Sequence, residues 1–326
     1  MNRRDFLLKS TVSAAGLPMI SSRISSFKPA VDPAGKRIGI IGLDTGHSEV
    51  FTRMINSGGA EMKAYKVVAA YAQGSKDIES ALNLRKEVVP KVKEMGIAIV
   101  DSIESLLSGV DFILLESNDG RPHLEQLIPV LKAGKPVFID KPIAASFDGA
   151  KAIFAASQQY SVPVFSSSAL RFDVNVQKVV NGSIGAVTGA DVYTPADMEP
   201  HHSDLAWYAI HGVEMLFTVM GPGCKWVTRT YQDGTDMVVG VWQDGRIGTL
   251  RGIRKGASNI AGTAFGEKGI AGLGPFSSYE PLVKQIIDFF DTGKPPVSAR
   301  ETLEIFSFIQ AADESRRKGG KKIALS

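Results

Sequence analysis

Lys141 stands in Phe138-Ile139-Asp140-Lys141-Pro142-Ile143-Ala144, just past an apolar run that reads as a buried parallel strand. Ligands of doubly wound sheets bind in the crevice at the carboxyl ends of their strands, so a lysine there is placed for chemistry. It can hold a phosphate, pair with a carboxylate or pass a proton to a substrate oxygen. A second dense region runs from Glu199 to Glu214 and holds three of the five histidines, His201, His202 and His211. His211 opens an apolar helical pattern, Val213 to Met220, ended by Gly221-Pro222-Gly223. A histidine at such a helix start can act as a general base near neutral pH, or can simply pack there. His201, His202 and Asp204 offer metal-ligand chemistry, but adjacent side chains diverge on extended backbone, and no metal is expected.

The turn Gly39-Ile40-Ile41-Gly42-Leu43-Asp44-Thr45-Gly46-His47 lies where a dinucleotide fingerprint belongs. A pyrophosphate needs close backbone approach and free amides at a helix N-terminus, which G-x-G-x-x-G provides. Gly42 fits the first glycine, Asp44 takes the second position and His47 the third, with Gly46 one residue early. Gly42, Thr45, Gly46 and His47 are therefore candidate cofactor contacts. Asp44 would repel a pyrophosphate and is expected to cap the helix or turn aside. In place of the acidic ribose ligand that often follows the second strand, the chain has Ala72-Gln73-Gly74-Ser75-Lys76-Asp77. Gln73 can bond a hydroxyl, Ser75 and Lys76 could accept a 2′-phosphate, and Asp77 would disfavour one, so NAD and NADP both remain open. Asn118 follows the fourth strand as a further cofactor candidate, and His123 begins the next helix as a cap, packing residue or ligand.

The elements that must position these residues alternate. Apolar runs at 36–42, 66–72, 97–100, 111–116, 136–139 and 161–165 read as strands covered on both faces, with helical patterns at 102–107 and 122–133 between them. Such alternation implies a Rossmann-like, doubly wound parallel sheet of the α/β class. After residue 166 the pattern changes. Strand-like runs at 190–193, 225–231, 237–242 and 246–250, an Asp244-Gly245 hairpin turn and helices at 278–291 and 300–317 describe an α+β domain with a mostly antiparallel open sheet. The expected division is a leader over 1–35, a dinucleotide-binding domain over 36–165 and a substrate and oligomerisation domain over 166–326.

The leader begins Asn2-Arg3-Arg4-Asp5-Phe6-Leu7-Leu8-Lys9 and continues through a short, weakly apolar stretch. Paired arginines before such a stretch suggest a Tat-type export signal and a periplasmic location. The stretch is too short to span a bilayer, which needs about 20 apolar residues. Of 37 basic and 34 acidic residues, five and two fall in the leader, leaving the rest balanced at 32 each. A balanced body lacks the positive field of a nucleic-acid binder. Cys224 is the only cysteine, which excludes an internal disulfide and a cysteine metal cluster.

With these residues placed, the chain resembles the Gfo/Idh/MocA family (glucose–fructose oxidoreductase, inositol dehydrogenase and MocA). The likeness runs through residues 36–326. It rests on the Gly39–Gly46 turn, on Ala133-Gly134-Lys135-Pro136-Val137-Phe138-Ile139-Asp140-Lys141-Pro142-Ile143-Ala144, on Arg171-Phe172, Gly182 to Val187 and His211, and on Ala311 to Ser315. The resemblance implies NAD or NADP as cofactor and oxidation or reduction of a hydroxyl on a sugar or cyclitol. It implies Lys141 and His211 in proton transfer and Asp140 beside the cofactor, where relatives usually have glutamate. Arg171, His201, His202 and Tyr208 become candidates for substrate hydroxyls, and a homo-oligomer is expected. Trp207 and Ala209 stand where the D-x-G-x-H pattern has aspartate and glycine. That leaves two other readings: a redox-neutral epimerase or lyase with a retained nicotinamide, and a non-catalytic carbohydrate-binding protein.

Overall fold

The computed structural model describes residues 35–326; the stretch expected to be a Tat-type leader lies outside the described residues. Six strands, β1 (Arg37–Ile41), β2 (Lys66–Tyr71), β3 (Ala98–Val100), β4 (Phe112–Leu115), β5 (Val137–Ile139) and β6 (Val164–Ser166), form a fully parallel sheet in the order 3-2-1-4-5-6. The helices between them are α1 (Gly46–Ser57), α2 (Glu79–Glu94), α3 (Ile103–Gly109), α4 (His123–Lys132) and α5 (Phe147–Tyr160). This is the expected Rossmann sheet. Chain order reverses between β1 and β4, and the crevice at that switch point faces the α1 N-terminus.

The two-residue period of the strands sorts their side chains to two cores. Ile113 and Leu115 join one buried cluster, while Phe112 and Leu114 join the other. Gly42 ends β1 at φ +90°, and a Cβ there would lie 2.5 Å from the Ser117 amide nitrogen. Only glycine lets the turn pass that close to the end of β4. Thr45 then caps α1, its hydroxyl accepting from the His47 amide at 3.4 Å.

The second sheet has seven strands in the order β12-β11-β7-β10-β9-β8-β13. Its members are β7 (Val187–Pro195), β8 (Cys224–Gln232), β9 (Thr235–Trp242), β10 (Ile247–Ile253), β11 (Ala261–Gly266), β12 (Gly269–Leu273) and β13 (Ile323–Ala324). Every pair is antiparallel except β7 with β10, and Gly245 at φ +89° closes the expected β9–β10 hairpin. Short helices α6 (Val174–Val180) and α7 (Asp204–Trp207) precede α8 (Ile210–Met220), which with α10 (Ala299–Arg317) packs on this sheet.

Helix α9 (Glu280–Thr292) does not join that layer. Leu282, Val283, Ile286, Phe289 and Phe290 enter the core of α1, β1 and β2, and Lys63 reaches Asp288 and Asp291 on its surface. The Phe289 ring packs edge-on to Phe165 of β6 with centroids 4.9 Å apart. Phe289→Ala should therefore cost about 3–5 kcal/mol in urea or thermal unfolding. A loss below 1 kcal/mol would show that this helix does not hold the parallel sheet.

Candidate active site

Five side chains meet at the carboxyl edge of the parallel sheet. Lys141 follows β5, is 7% exposed, and its Nζ has neither an ion-pair nor a hydrogen-bond partner among the described residues. Asp140, fully buried, holds His47 Nδ1 at 2.7 Å through Oδ2. Burial favours protonation of Asp140, but the His47 charge and hydrogen bond, together with Lys141, outweigh it and hold the carboxyl below its ordinary range. Glu116, at the end of β4, is pushed well above the usual carboxylate range by burial and by the neighbouring Asp140 charge, with Lys141 opposing. Neither Glu116 oxygen has a hydrogen-bond partner among the described residues.

His211 approaches from α8. Its Nδ1 lies 2.6 Å from the Ser168 hydroxyl, which also accepts the Leu170 amide at 3.2 Å. Burial and the nearby charges of Lys141 and His47 hold its imidazole well below its ordinary pKa, so it is neutral at neutral pH. Tyr208, 38% exposed, sets its ring edge-on to His211 at 5.4 Å. Tyr279, just ahead of α9, packs edge-on to His47 at 4.9 Å, and burial with the Asp140 charge raises its phenol. Sequence reasoning missed Tyr279 because a residue contributed from a distant helix leaves no local signal. Sequence reasoning also missed Glu116, although its place at the end of the fourth strand was a signal that could have found it.

The other sequence candidates are engaged elsewhere. Arg171, 6% exposed, pairs with Glu214 at 3.1 Å and Glu301 at 2.6 Å behind α8. His201 is exposed and bonded to Glu199 at 2.5 Å. His202 Nε2 accepts the Gly120 amide at 3.1 Å, and its ring packs on Trp207 with centroids 4.9 Å apart. These two histidines line a separate cavity of about 540 Å³ with Arg316 and Arg317. His123 is buried with its ring nitrogens 2.9 Å and 2.8 Å from the Ile143 and Ser117 carbonyls, joining the ends of β4 and β5 as a packing residue.

The residues fit a nicotinamide dinucleotide at both ends and meet its centre with a carboxylate. A cavity of about 1090 Å³, lined by Gln73, Lys76, Arg85, Ser102, Pro122 and Pro129, opens beyond β2 and β3 and suits an adenosine. Gln73 holds Arg85 there at 2.8 Å. At the other end lie the unpartnered oxygens of Glu116 and Asp140 and the open face of Gly46. Between them, Asp44 turns aside from the helix, as expected, and accepts the Ser75 amide at 2.6 Å and the Asn118 amide at 3.0 Å. It fills that space closely: a Cβ on Gly74 would lie 2.1 Å from its Oδ2. Burial raises its carboxyl while the two amides lower it, and the net direction is up.

A Rossmann sheet with a lysine and a histidine converging at its carboxyl edge, joined to an open mixed sheet, defines a two-domain nucleotide-binding protein of the oxidoreductase type. Residues 36–168 match the Gfo/Idh/MocA profile, described as an oxidoreductase family with an NAD-binding Rossmann fold. No protein of curated function matches the chain in sequence. Solved structures match it along both domains. Myo-inositol 2-dehydrogenase from Lactobacillus plantarum superposes with a TM-score of 0.73 at 18% identity, covering 89% of this chain and 99% of that one. Scyllo-inositol dehydrogenase from Lactobacillus casei, with bound NAD(H) and scyllo-inositol, gives 0.70 at 17%, covering 89% and 98%. GenD2 from gentamicin A biosynthesis, in complex with NAD, gives 0.71 at 14%, covering 89% and 96%. At such identities the likeness is one of fold.

Burial holds His202 at about 4 against an ordinary 6.5, with Asp119 and Glu199 opposing and Arg121 and His123 adding to the shift. Between these values the unfolded chain binds a proton that the folded chain excludes, so stability falls as pH drops through that window. The loss should be about 2–3 kcal/mol between pH 7 and pH 4, and His202→Phe should remove that part of it. Chemical denaturation of both proteins across the range checks this. Identical pH dependence would mean that His202 is not held neutral.

Proposed function

We propose that this protein is an NAD(P)-dependent oxidoreductase acting on a hydroxyl or keto group of a sugar, cyclitol or glycoside. The observation that carries the reading is Lys141, buried and unpaired beside a neutral His211 at the mouth of an NAD-binding fold. Gly42, Thr45 and Gly46 of the turn, with Gln73 and Asn118, would hold the dinucleotide. The bound nicotinamide supplies hydride acceptance and return. His211, neutral and oriented by Ser168, takes the substrate hydroxyl proton. Lys141 Nζ donates hydrogen bonds to the oxygen as charge builds on it. Tyr208 is exposed beside His211 and available to a sugar hydroxyl.

The twin-arginine start supports export, hence a periplasmic enzyme that carries its cofactor with it. Exposed Tyr193, Ile247 and Ile270 on the second sheet support a homo-oligomer. Asp44 favours one further reading. If its carboxylate excludes a pyrophosphate, the protein binds carbohydrate without turning it over.

Denaturing the purified protein and identifying the released small molecules separates these readings. Near-stoichiometric NAD or NADP supports the oxidoreductase. No nucleotide, with no thermal shift on adding either form, supports the binding protein. In the enzyme, Lys141→Met should lower kcat about 100- to 10,000-fold while dinucleotide affinity by titration calorimetry stays unchanged. Undiminished turnover would remove Lys141 from the mechanism.

A further inference from the structure

We infer that His47, Glu116 and Asp140 form a site for one divalent transition-metal cation. The inference goes beyond the oxidoreductase reading and does not rest on it. Each of the three offers a ligand atom, and these atoms all lie within 4.8 Å of one another. Glu116 and Asp140 are both fully buried, while the His47 side chain is 12% exposed at the rim.

The oxygens turned into this cluster have no hydrogen-bond partner among the described residues. Both Glu116 oxygens lack a hydrogen-bond partner, and Asp140 uses Oδ2 on His47 and leaves Oδ1 alone. Buried polar atoms are rarely left so, because an unmet acceptor costs about 1–3 kcal/mol and a charged one more. Lys141 is near enough to influence both carboxyls but forms an ion pair with neither. A cation held between the three side chains would satisfy these oxygens together.

Size and donor type narrow the cation. Two donors bound about 2.1 Å from one ion are about 3.4 Å apart in a tetrahedron and at most about 4.2 Å apart across an octahedron, so ligand atoms up to 4.8 Å apart must close by about 0.6–1.4 Å. Two carboxylates and an imidazole suit Mn²⁺, Fe²⁺ or Zn²⁺. Ca²⁺ takes six to eight oxygens and would find too few.

The test uses the full mature protein, its metal removed with chelator, titrated with Mn²⁺ alone and with Zn²⁺ alone by calorimetry and thermal shift. The expected result is one cation per chain, bound at micromolar concentration or tighter, with a rise in Tm. Glu116→Gln, which keeps the side-chain volume, should weaken binding at least 100-fold. Should that variant fail to fold, His47→Gln at the rim should show the same loss, and Glu104→Gln on the exposed face of α3 should bind as the parent does. No binding to the parent at 1 mM of either cation would overturn the inference. So would unchanged affinity in both site variants. A third overturning result is loss of NAD affinity in Glu116→Gln with no cation bound by the parent, which would make these oxygens ribose acceptors. None of these readouts requires turnover, so a failed metal site leaves the oxidoreductase reading standing.

Discussion

One carboxylate ties together the part of the molecule where function is concentrated. Asp44 leaves the end of β1 and accepts backbone amides from Ser75 beyond β2 and Asn118 beyond β4. Three strand ends are thereby fixed by two hydrogen bonds, each with a charged acceptor when Asp44 is ionised and stronger for it. The width of the crevice, the path of the loop before α2 and the approach of β4 to the phosphate turn all follow from that arrangement. A glycine at this position would leave the two amides free for a ligand. Here the chain satisfies them itself.

That substitution sets the electrostatic problem for the whole edge. Glu116 and Asp140 add two buried carboxyls, and Lys141 and His47 provide the nearby basic groups. Charges enclosed among low-dielectric walls are costly unless paired, so each protonation state depends on its neighbours. Glu116 is driven toward its neutral form and Asp140 toward its ionised form, which separates two chemically similar groups through their surroundings. His211 is kept neutral by burial and by the same positive neighbours. The site thus holds a hydrogen-bond donor and an unprotonated base close together.

Much of this was legible in the sequence. Buried parallel strands are continuous apolar runs, so all six strands of the first sheet stood out. The position of Lys141 followed from its place after the fifth. Strands β11 and β12 did not stand out, because Ala261-Gly262-Thr263-Ala264-Phe265-Gly266 and Gly269-Ile270-Ala271-Gly272-Leu273 are rich in small residues and lack β-branched alternation. Helix α9 was visible as a helix, but its packing against the first sheet was not, since amphipathicity names a buried face and not the surface that covers it.

The same limit applies to the polar candidates. Arg171, His201 and His202 have the chemistry of substrate ligands, and residue type alone does not distinguish them from Lys141. What separates them is how far the protein supplies partners, since among the described residues one nitrogen each of Arg171 and His202 is left without one. Glu301 lies 130 positions from Arg171 and takes one of its guanidinium nitrogens, and Glu214 takes another. His202 is bonded to Gly120 and His201 to Glu199. Among the described residues Lys141 has no such partner, and Glu116 has two oxygens without one. Pairing inside the protein neutralises the chemistry that a residue type advertises, so the unpaired groups are where ligands are expected to act.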